Sequence, residues 1–141
     1  MTLSFPIKEI PLSRISTKGG DVLHVLKCNE DSYKGFGEAY FSIIEYNFIK
    51  AWKCHHSMVM NLTVPIGNVK FVFFDPNKNS FKVFTIGENN YSRLTIPSNI
   101  WFGFQGLNKG TNLILNLSNI KHDEMEISRK PLKEINYNWN S

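Results

Sequence analysis

The sequence has 141 residues, of which 42% are hydrophobic and 13% aromatic, and 16 Lys and Arg against 12 Asp and Glu give a formal net charge of +4. This length predicts one domain over residues 1–141 and excludes two, while the modest charge excludes a disordered chain. The basic excess suits an anionic ligand such as a phosphate. It does not require nucleic acid or a membrane as a partner.

The chain shows no targeting or membrane-spanning segment. Pro6, Lys8 and Glu9 interrupt the region where a secretory signal needs an unbroken apolar stretch, and no apolar run approaches the roughly 18 residues of a membrane span. We therefore expect a soluble, cytoplasmic protein. Cys28 and Cys54 stand alone without metal-ligand spacing, so we expect reduced thiols.

The predicted elements are short strands. β-Branched and aromatic runs recur at close spacing, turn residues separate them, and no stretch has a helical period. In chain order the predicted strands cover residues 22–27, 37–45, 48–54, 58–64, 69–75, 81–86, 92–96 and 111–117. This all-β pattern predicts a jelly roll or a small barrel whose interior can hold a ligand. A polar tail follows from about residue 121, with Trp139 as its anchor.

The densest group of chemically active side chains is Lys-Ala-Trp-Lys-Cys-His-His at residues 50–56. Because side chains alternate along a strand, Lys53 and His55 should share one face. Two interpretations are open at this point. Either that face points into the barrel, where buried polar groups serve a function, or Trp52 and Cys54 point inward and Lys53 and His55 are solvated.

The same segment has the spacing of a cupin metal motif without its ligands. In that frame Lys53 and His55 occupy two histidine positions, Met60 a glutamate position, and Phe102 the position of a later histidine. A catalytic metal needs three or four nitrogen and oxygen donors, and only His55 is present. We therefore expect no metal and no other cofactor.

Several collinear motifs resemble the dTDP-4-dehydrorhamnose 3,5-epimerase family. They are Gly-Glu-Ala-Tyr-Phe-Ser at 37–42, Phe-Ile-Lys-Ala-Trp at 48–52, the run 69–76, Gly-Glu-Asn-Asn at 87–90 and Asn-Tyr-Asn-Trp at 136–139. The resemblance implies a single cupin-type jelly-roll barrel that forms a homodimer. It also implies an enzyme of surface polysaccharide biosynthesis that epimerises or isomerises a dTDP-linked 4-keto-6-deoxysugar by removing a proton next to the ketone.

The resemblance also suggests roles for individual residues. Lys53 stands at the position of the family's catalytic base, His122 is the nearest match to the opposing acid, and Lys50 matches an arginine that contacts the diphosphate. The other candidate substrate-binding residues are Glu38, for hydrogen bonding, Phe102, at the sugar-side histidine, and Tyr40, Trp52, Trp101 and Phe104, for stacking. Arg93 and Arg129 are interpreted as surface cations.

Proton removal next to a ketone needs a base near the carbon and a cation or hydrogen-bond donor near the oxygen. His55 can be the base with Lys53 as the cation, since an imidazole titrates near pH 6.5, at about its unperturbed pKa. Alternatively, burial beside Lys50 depresses the pKa of Lys53 until its amine is the base.

Three other functions fit parts of the sequence. A sugar 3,4-ketoisomerase of the same superfamily uses a His-x-His site, and Lys53 and His55 have that spacing. A catalytically silent protein that binds a nucleotide sugar or glycan fits the replaced catalytic positions. A basic barrel for single-stranded nucleic acid is disfavoured, because Lys and Arg are scattered along the chain.

Overall fold

The computed structural model describes residues 6–141 and consists of strands, with two 3₁₀ turns. The strands are β1 (Lys8–Pro11), β2 (Arg14–Ile15), β3 (Val22–Leu23), β4 (Glu38–Ile43), β5 (Ile49–His55), β6 (Met60–Ile66), β7 (Asn68–Asp75), β8 (Ser80–Gly87), β9 (Ser92–Ile96), β10 (Trp101–Gly106), β11 (Leu113–Ser118) and β12 (Ile127–Arg129). The 3₁₀ turns are Glu124–Glu126 and Leu132–Glu134. The predicted all-β fold is confirmed.

Two five-stranded antiparallel sheets carry the fold. The first sheet has the order β1-β9-β6-β11-β4 and the second sheet β12-β5-β10-β7-β8, while β2 and β3 form a separate ribbon. Within the described residues, no helix is long and apolar enough to cross a membrane. Residues 1–5 of the predicted domain lie outside the described residues.

Each predicted strand region contains a strand, but the prediction overlooked four. The region 22–27 holds only the two residues of β3, and the prediction lacked β1, β2, β10 and β12. β10 contains two glycines, and both are required there. A Cβ on Gly103 would lie 2.5 Å from the Cβ of Ala51, and one on Gly106 would lie 2.4 Å from the carbonyl oxygen of Glu45.

The main core lies between the inner faces of the two sheets. Its buried side chains come from strands of both sheets and include Met60, Leu62, Val64, Phe71, Phe73, Leu94, Ile96 and Ile114. Alternation explains this arrangement, since every second residue of these strands faces inward. Four of these side chains, Met60, Leu62, Phe71 and Ile114, also line a cavity between the sheets.

A second, smaller cluster covers the outer face of the second sheet. Trp52, Val72, Ile135 and Trp139 are buried in it, with the rings of Trp52 and Trp139 5.5 Å apart. The indole N–H of Trp52 donates to the carbonyl oxygen of Leu132 at 3.1 Å. The C-terminal segment therefore packs against the outside of the sheet, after contributing β12 to its edge.

The outer face of the first sheet is covered by the segment 24–36. Arg93 in β9 is 0% exposed, donates to the carbonyl oxygen of Val25 at 2.6 Å, and lies 2.8 Å from a carboxylate oxygen of Glu30. The amide of Asn61 donates to the carbonyl oxygen of Ser32 at 3.1 Å. The interpretation of Arg93 as a surface cation is wrong, because the covering segment buries it.

Candidate active site

A β-bulge in β5 determines which side chains reach the interior. Lys53 pairs with Phe102 of β10 and Ala51 with Gly103, so Trp52 is an extra residue opposite the step between them. The peptide bond between Ala51 and Trp52 is cis. A bulge breaks the strict alternation of a strand. Lys50 and Lys53 consequently face the same cavity although they are three residues apart.

The cavity lies between the sheets and has a volume of about 740 Å³. Its lining combines four cations with aromatic, aliphatic and small polar residues: Lys50, Lys53, Arg129 and Lys130; Trp52, Phe71, Phe102, Phe104 and Tyr40; Ile49, Ala51, Met60, Leu62, Ile114 and Pro131; Ser42 and Asn116. Among the described residues that line it there is no carboxylate. The cavity is therefore suited to an anionic ligand.

Lys53 is the cation with the fewest protein partners. It is half-buried, and within the described chain its amine has neither a hydrogen bond nor an ion pair. Arg129 lies directly opposite Lys53 in the β5–β12 ladder, which places two like charges side by side. Burial, followed by the charge of Arg129, lowers the pKa of Lys53 below its usual value of 10.5.

The other three cations are held by neighbouring groups. Arg129 makes a two-point contact with Glu124 at 2.6 and 3.0 Å, and this guanidinium lowers the pKa of Glu124 to about 2. The ammonium of Lys130 lies 4.7 Å from the ring centre of Trp101, and that of Lys50 donates to the carbonyl oxygen of Ile43 at 3.3 Å. Lys50, Lys53 and Arg129 therefore form a cationic wall of the cavity, whereas the ammonium of Lys130 lies on the outer side, over Trp101.

His55 lies behind the cavity wall. It is buried, its ring stacks on Phe102 with centroids 6.0 Å apart, and its Nδ1 lies 2.5 Å from Glu126. Burial lowers the pKa of His55, although the hydrogen bond to Glu126 acts in the opposite direction. The Glu126 carboxylate also accepts from the amides of Ser57 and Met58 at 2.9 and 3.2 Å. Burial raises the pKa of Glu126, but the hydrogen bonds from His55, Ser57 and Met58 together lower it below its usual value. These hydrogen bonds hold Glu126, and through it the ring of His55, behind the cavity wall.

The first sheet supplies the wall opposite the cations. Tyr40 and Ser42 of β4 and Asn116 of β11 line the cavity there. Asn116 faces Tyr40 across the ladder, and its amide Nδ2 donates to the phenol oxygen of Tyr40 at 2.9 Å. This wall therefore presents the phenol hydroxyl of Tyr40 beside the neutral amide of Asn116.

The structure brings some predicted site residues together and separates others. Lys50, Lys53 and Phe102 line the cavity, and Trp52 borders it while its ring packs in the outer cluster. Trp101 also packs in the outer cluster, because it points away from the interior on β10.

His122 is exposed and paired with Glu124 at 3.0 Å, and the Glu38 carboxylate accepts from the His122 amide at 3.3 Å. Both lie outside the cavity lining.

Four residues of the site or its support escaped the sequence-based prediction, which assigned a different role to Tyr40. Arg129 and Lys130 reach the cavity through β12, a short polar strand that the hydrophobic pattern did not show. Arg129 is therefore more than a surface cation. Tyr40 was predicted only as a stacking residue, and nothing in the spacing singled out Asn116 or Glu126. The hydrogen bond from Asn116 to Tyr40 forms because the pairing of β4 with β11 places these two residues opposite each other.

The described residues contain no group of three or more His, Cys, Asp or Glu side chains arranged to hold a metal ion. Of the cupin metal positions, only His55 carries a nitrogen ligand, and its Nδ1 is occupied by Glu126. The cavity itself is lined by amines, a guanidinium and hydroxyls, with the imidazole of His55 behind its wall.

Comparison with known proteins assigns the family. The chain is 31% identical to a solved dTDP sugar isomerase from Desulfovibrio desulfuricans, with a TM-score of 0.91 over 96% of this chain and 91% of that one. The chain belongs to the dTDP-sugar isomerase and epimerase family. The predicted resemblance is thereby confirmed, as is the cupin-type barrel. No protein-family model matches the chain.

Two further proteins are similar to this family member. A probable low-salt glycan biosynthesis epimerase from Haloferax volcanii is 25% identical over 104 residues, which cover 69% of this chain and 67% of that protein. The solved 3,4-ketoisomerase QdtA from Thermoanaerobacterium thermosaccharolyticum, in complex with TDP, has a TM-score of 0.78 at 16% identity over 94% of each chain. The latter likeness shows the shared fold.

Proposed function

We propose that this family member acts on a dTDP-linked 4-keto-6-deoxysugar and inverts a carbon next to the ketone, in glycan biosynthesis. The observation that carries the proposal is the unpaired amine of Lys53 in a cavity that the cations Lys50 and Arg129 also line. A nucleotide-linked 4-keto sugar has a diphosphate that the cations can bind. It also has C–H bonds next to the ketone that are acidic enough for an amine to remove the proton. The names of the solved isomerase and of the Haloferax epimerase support this substrate class and reaction.

The cationic wall provides the binding energy in this proposal. Lys50 is placed to contact the diphosphate, since charge-assisted hydrogen bonds to phosphate are among the stronger polar contacts. The ammonium of Lys50 is held in place by the carbonyl oxygen of Ile43. The apolar part of the lining, which includes Phe71 and Phe104, then borders the sugar or the base.

Lys53 is the proposed base. Its lowered pKa increases the fraction of free amine, and a base works best when its pKa is near the working pH. Negative charge develops on the ketone oxygen as the proton leaves, so a nearby cation lowers the barrier. Arg129, directly opposite Lys53, is positioned for that role. His55 supports this wall from behind through Phe102, rather than facing the ligand.

Tyr40 is the proposed acid. It belongs to the first sheet and Lys53 to the second, and both line the same cavity. Inversion at carbon requires that a proton leave from one side of the sugar ring and return from the other. A ketoisomerase moves a proton between neighbouring atoms and can use one side only. The placement on two walls therefore favours epimerisation over keto migration.

The test is solvent exchange. We expect the purified protein to incorporate deuterium from deuterated water at C3 or C5 of dTDP-4-keto-6-deoxyglucose, with an inverted product visible by NMR. A shifted ketone without inversion would instead support the 3,4-ketoisomerase. If the protein binds the nucleotide sugar without any exchange, it is a catalytically silent binding protein. If it does not bind the nucleotide sugar, the proposed substrate class is wrong.

We also propose a homodimer formed through β4. This strand is the edge of the first sheet, and its outward side chains Phe41 and Ile43 are 63% and 61% exposed. An apolar edge strand with unpaired backbone groups can pair with the same strand of a second copy. We expect light scattering after size exclusion to give twice the chain mass, and Phe41→Lys to give a monomer. A monomeric wild-type protein at micromolar concentration would contradict the proposal.

A further inference from the structure

Asn116 is held so that it serves a single neighbour. The residue is 4% exposed, its Nδ2 donates to the phenol oxygen of Tyr40 at 2.9 Å, and its Oδ1 has no hydrogen-bond partner within the described residues. Buried amides normally satisfy both of their polar ends, so a buried amide with one contact requires an explanation. Its neighbours Ile114 and Leu62 are apolar residues of the cavity wall.

The direction of this hydrogen bond determines what the phenol can do. A phenol has one proton and can also accept hydrogen bonds at its oxygen. Because Asn116 donates to that oxygen, the proton of Tyr40 is free to point elsewhere. Tyr40 is 38% exposed on the cavity side of β4, and the cavity is where a free hydroxyl proton would find a ligand. The same N–H would also stabilise a phenolate once the proton has left.

We propose that Asn116 is a positioning residue that directs the hydroxyl proton of Tyr40 toward the substrate carbon. This inference rests on the proposed function. In the step concerned, the O–H bond of Tyr40 breaks, a C–H bond forms on the carbon of the enolate, and the negative charge passes to the phenol oxygen. Asn116 donates to that oxygen before and after the transfer, and solvent water at the open side of Tyr40 restores the proton.

The decisive experiment is a double-mutant cycle on the rate of inversion. Asn116→Asp keeps size and the acceptor oxygen but places an acceptor where the N–H was, so the phenol proton is held by the new carboxylate. We expect kcat for inversion to fall about 100- to 1,000-fold, with KM changed far less, as for the loss of one preorganised donor. In a Tyr40→Phe background the same substitution should cause no further fall.

Asn61→Asp is the matched control. Asn61 is also 4% exposed, lies on the neighbouring strand β6, and bonds to Ser32 and Thr95 outside the cavity. It reports the cost of a buried carboxylate that is not next to Tyr40, and kcat of its folded fraction should match the wild type. If Asn116→Asp does not fold, Asn116→Leu gives the same cycle by removing the donor.

The outcomes separate this inference from the proposed function. If the wild type exchanges and inverts, but substitution of Asn116 lowers kcat equally with and without Tyr40, Asn116 acts through the structure and the inference is wrong. An unchanged kcat in Asn116→Asp also overturns it. If the wild type shows neither exchange nor binding, the proposed function itself fails.

Discussion

The two faces of the second sheet differ in how far their side chains are packed and paired. On the outer face, Trp52 packs on Trp139, and its indole N–H has a partner in Leu132. On the inner face, the adjacent residue Lys53 has no partner in the described chain and lies opposite a like charge. Outside, the sheet is close-packed by aromatic rings. Inside, it keeps unpaired charge next to empty volume.

This contrast separates stability from chemistry along one strand. Unpaired, partly buried cations destabilise a fold, and proteins keep such arrangements where a ligand will complete them. The outer cluster supplies packing that the cavity side lacks. Substitutions on the inner face should therefore change turnover and binding, while substitutions on the outer face should change the free energy of unfolding.

The largest effect should come from removing the unpaired amine. Lys53→Met keeps an unbranched side chain of similar length but removes the amine that acts as the base. We therefore expect deuterium exchange into the sugar to fall about 100- to 10,000-fold. The melting temperature should stay equal or rise, because an unfavourable charge is lost. Lys82, an exposed residue of β8 outside the cavity lining, provides the control Lys82→Met with unchanged exchange. Normal exchange in Lys53→Met would assign proton removal to another group, with His55 the next to test.

Substitutions on the outer face should change the free energy of unfolding and leave the exchange rate unchanged. Trp139→Ala removes a buried ring from the cluster around Trp52, so we expect a loss of about 3–5 kcal/mol in the free energy of unfolding, measured with urea. The exchange rate of the folded fraction should not change. Phe36, which is 66% exposed, supplies Phe36→Ala as a control with a loss below about 0.5 kcal/mol. A fall in exchange for Trp139→Ala would show that the two faces are coupled.

A smaller effect is expected for Lys50 than for Lys53. Lys50→Ala should weaken dTDP binding about tenfold by calorimetry, because it removes a charged contact to phosphate. Lys130→Ala should change dTDP binding far less, because its ammonium lies over Trp101 on the outer side of the sheet. Thymidine, which has no phosphate, should bind the variants as it binds the wild type. Equal losses for both ligands in Lys50→Ala would mean that Lys50 contacts the nucleoside instead.

The pH dependence is the subtlest test. If Lys53 acts as a free amine, activity rises with pH through its pKa, which burial and Arg129 lower. Arg129→Gln removes the opposing cation and frees Glu124, and both changes favour the protonated amine. The pKa of Lys53 should rise, and the ascending limb of the activity profile should move to higher pH. Arg129→Lys keeps the charge and should leave the limb in place; a limb that does not move in Arg129→Gln would exclude Lys53 as the titrating base.

The sequence pattern predicted the fold better than the site. Alternation and turn residues located the strands that are long and apolar, such as β7, and motifs along most of the chain indicated the family. The site depends on features without a local signal. The bulge at Trp52 changes which lysines face inward, β12 brings Arg129 beside Lys53, and Asn116 meets Tyr40 only through register. Each of these is a pairing between segments far apart in the chain.

The bulge at Trp52 also has a consequence for how this strand can vary. A bulge accommodates one extra residue in a strand without changing the register on either side of it. Deleting Trp52 would restore regular alternation and leave both Lys50 and Lys53 facing the cavity, because their partners Phe104 and Phe102 on β10 already share one face. The extra residue thus adds an indole to the outer cluster while both lysines keep their places, so the outside of this strand can gain or lose a packing residue without moving either lysine out of the pocket.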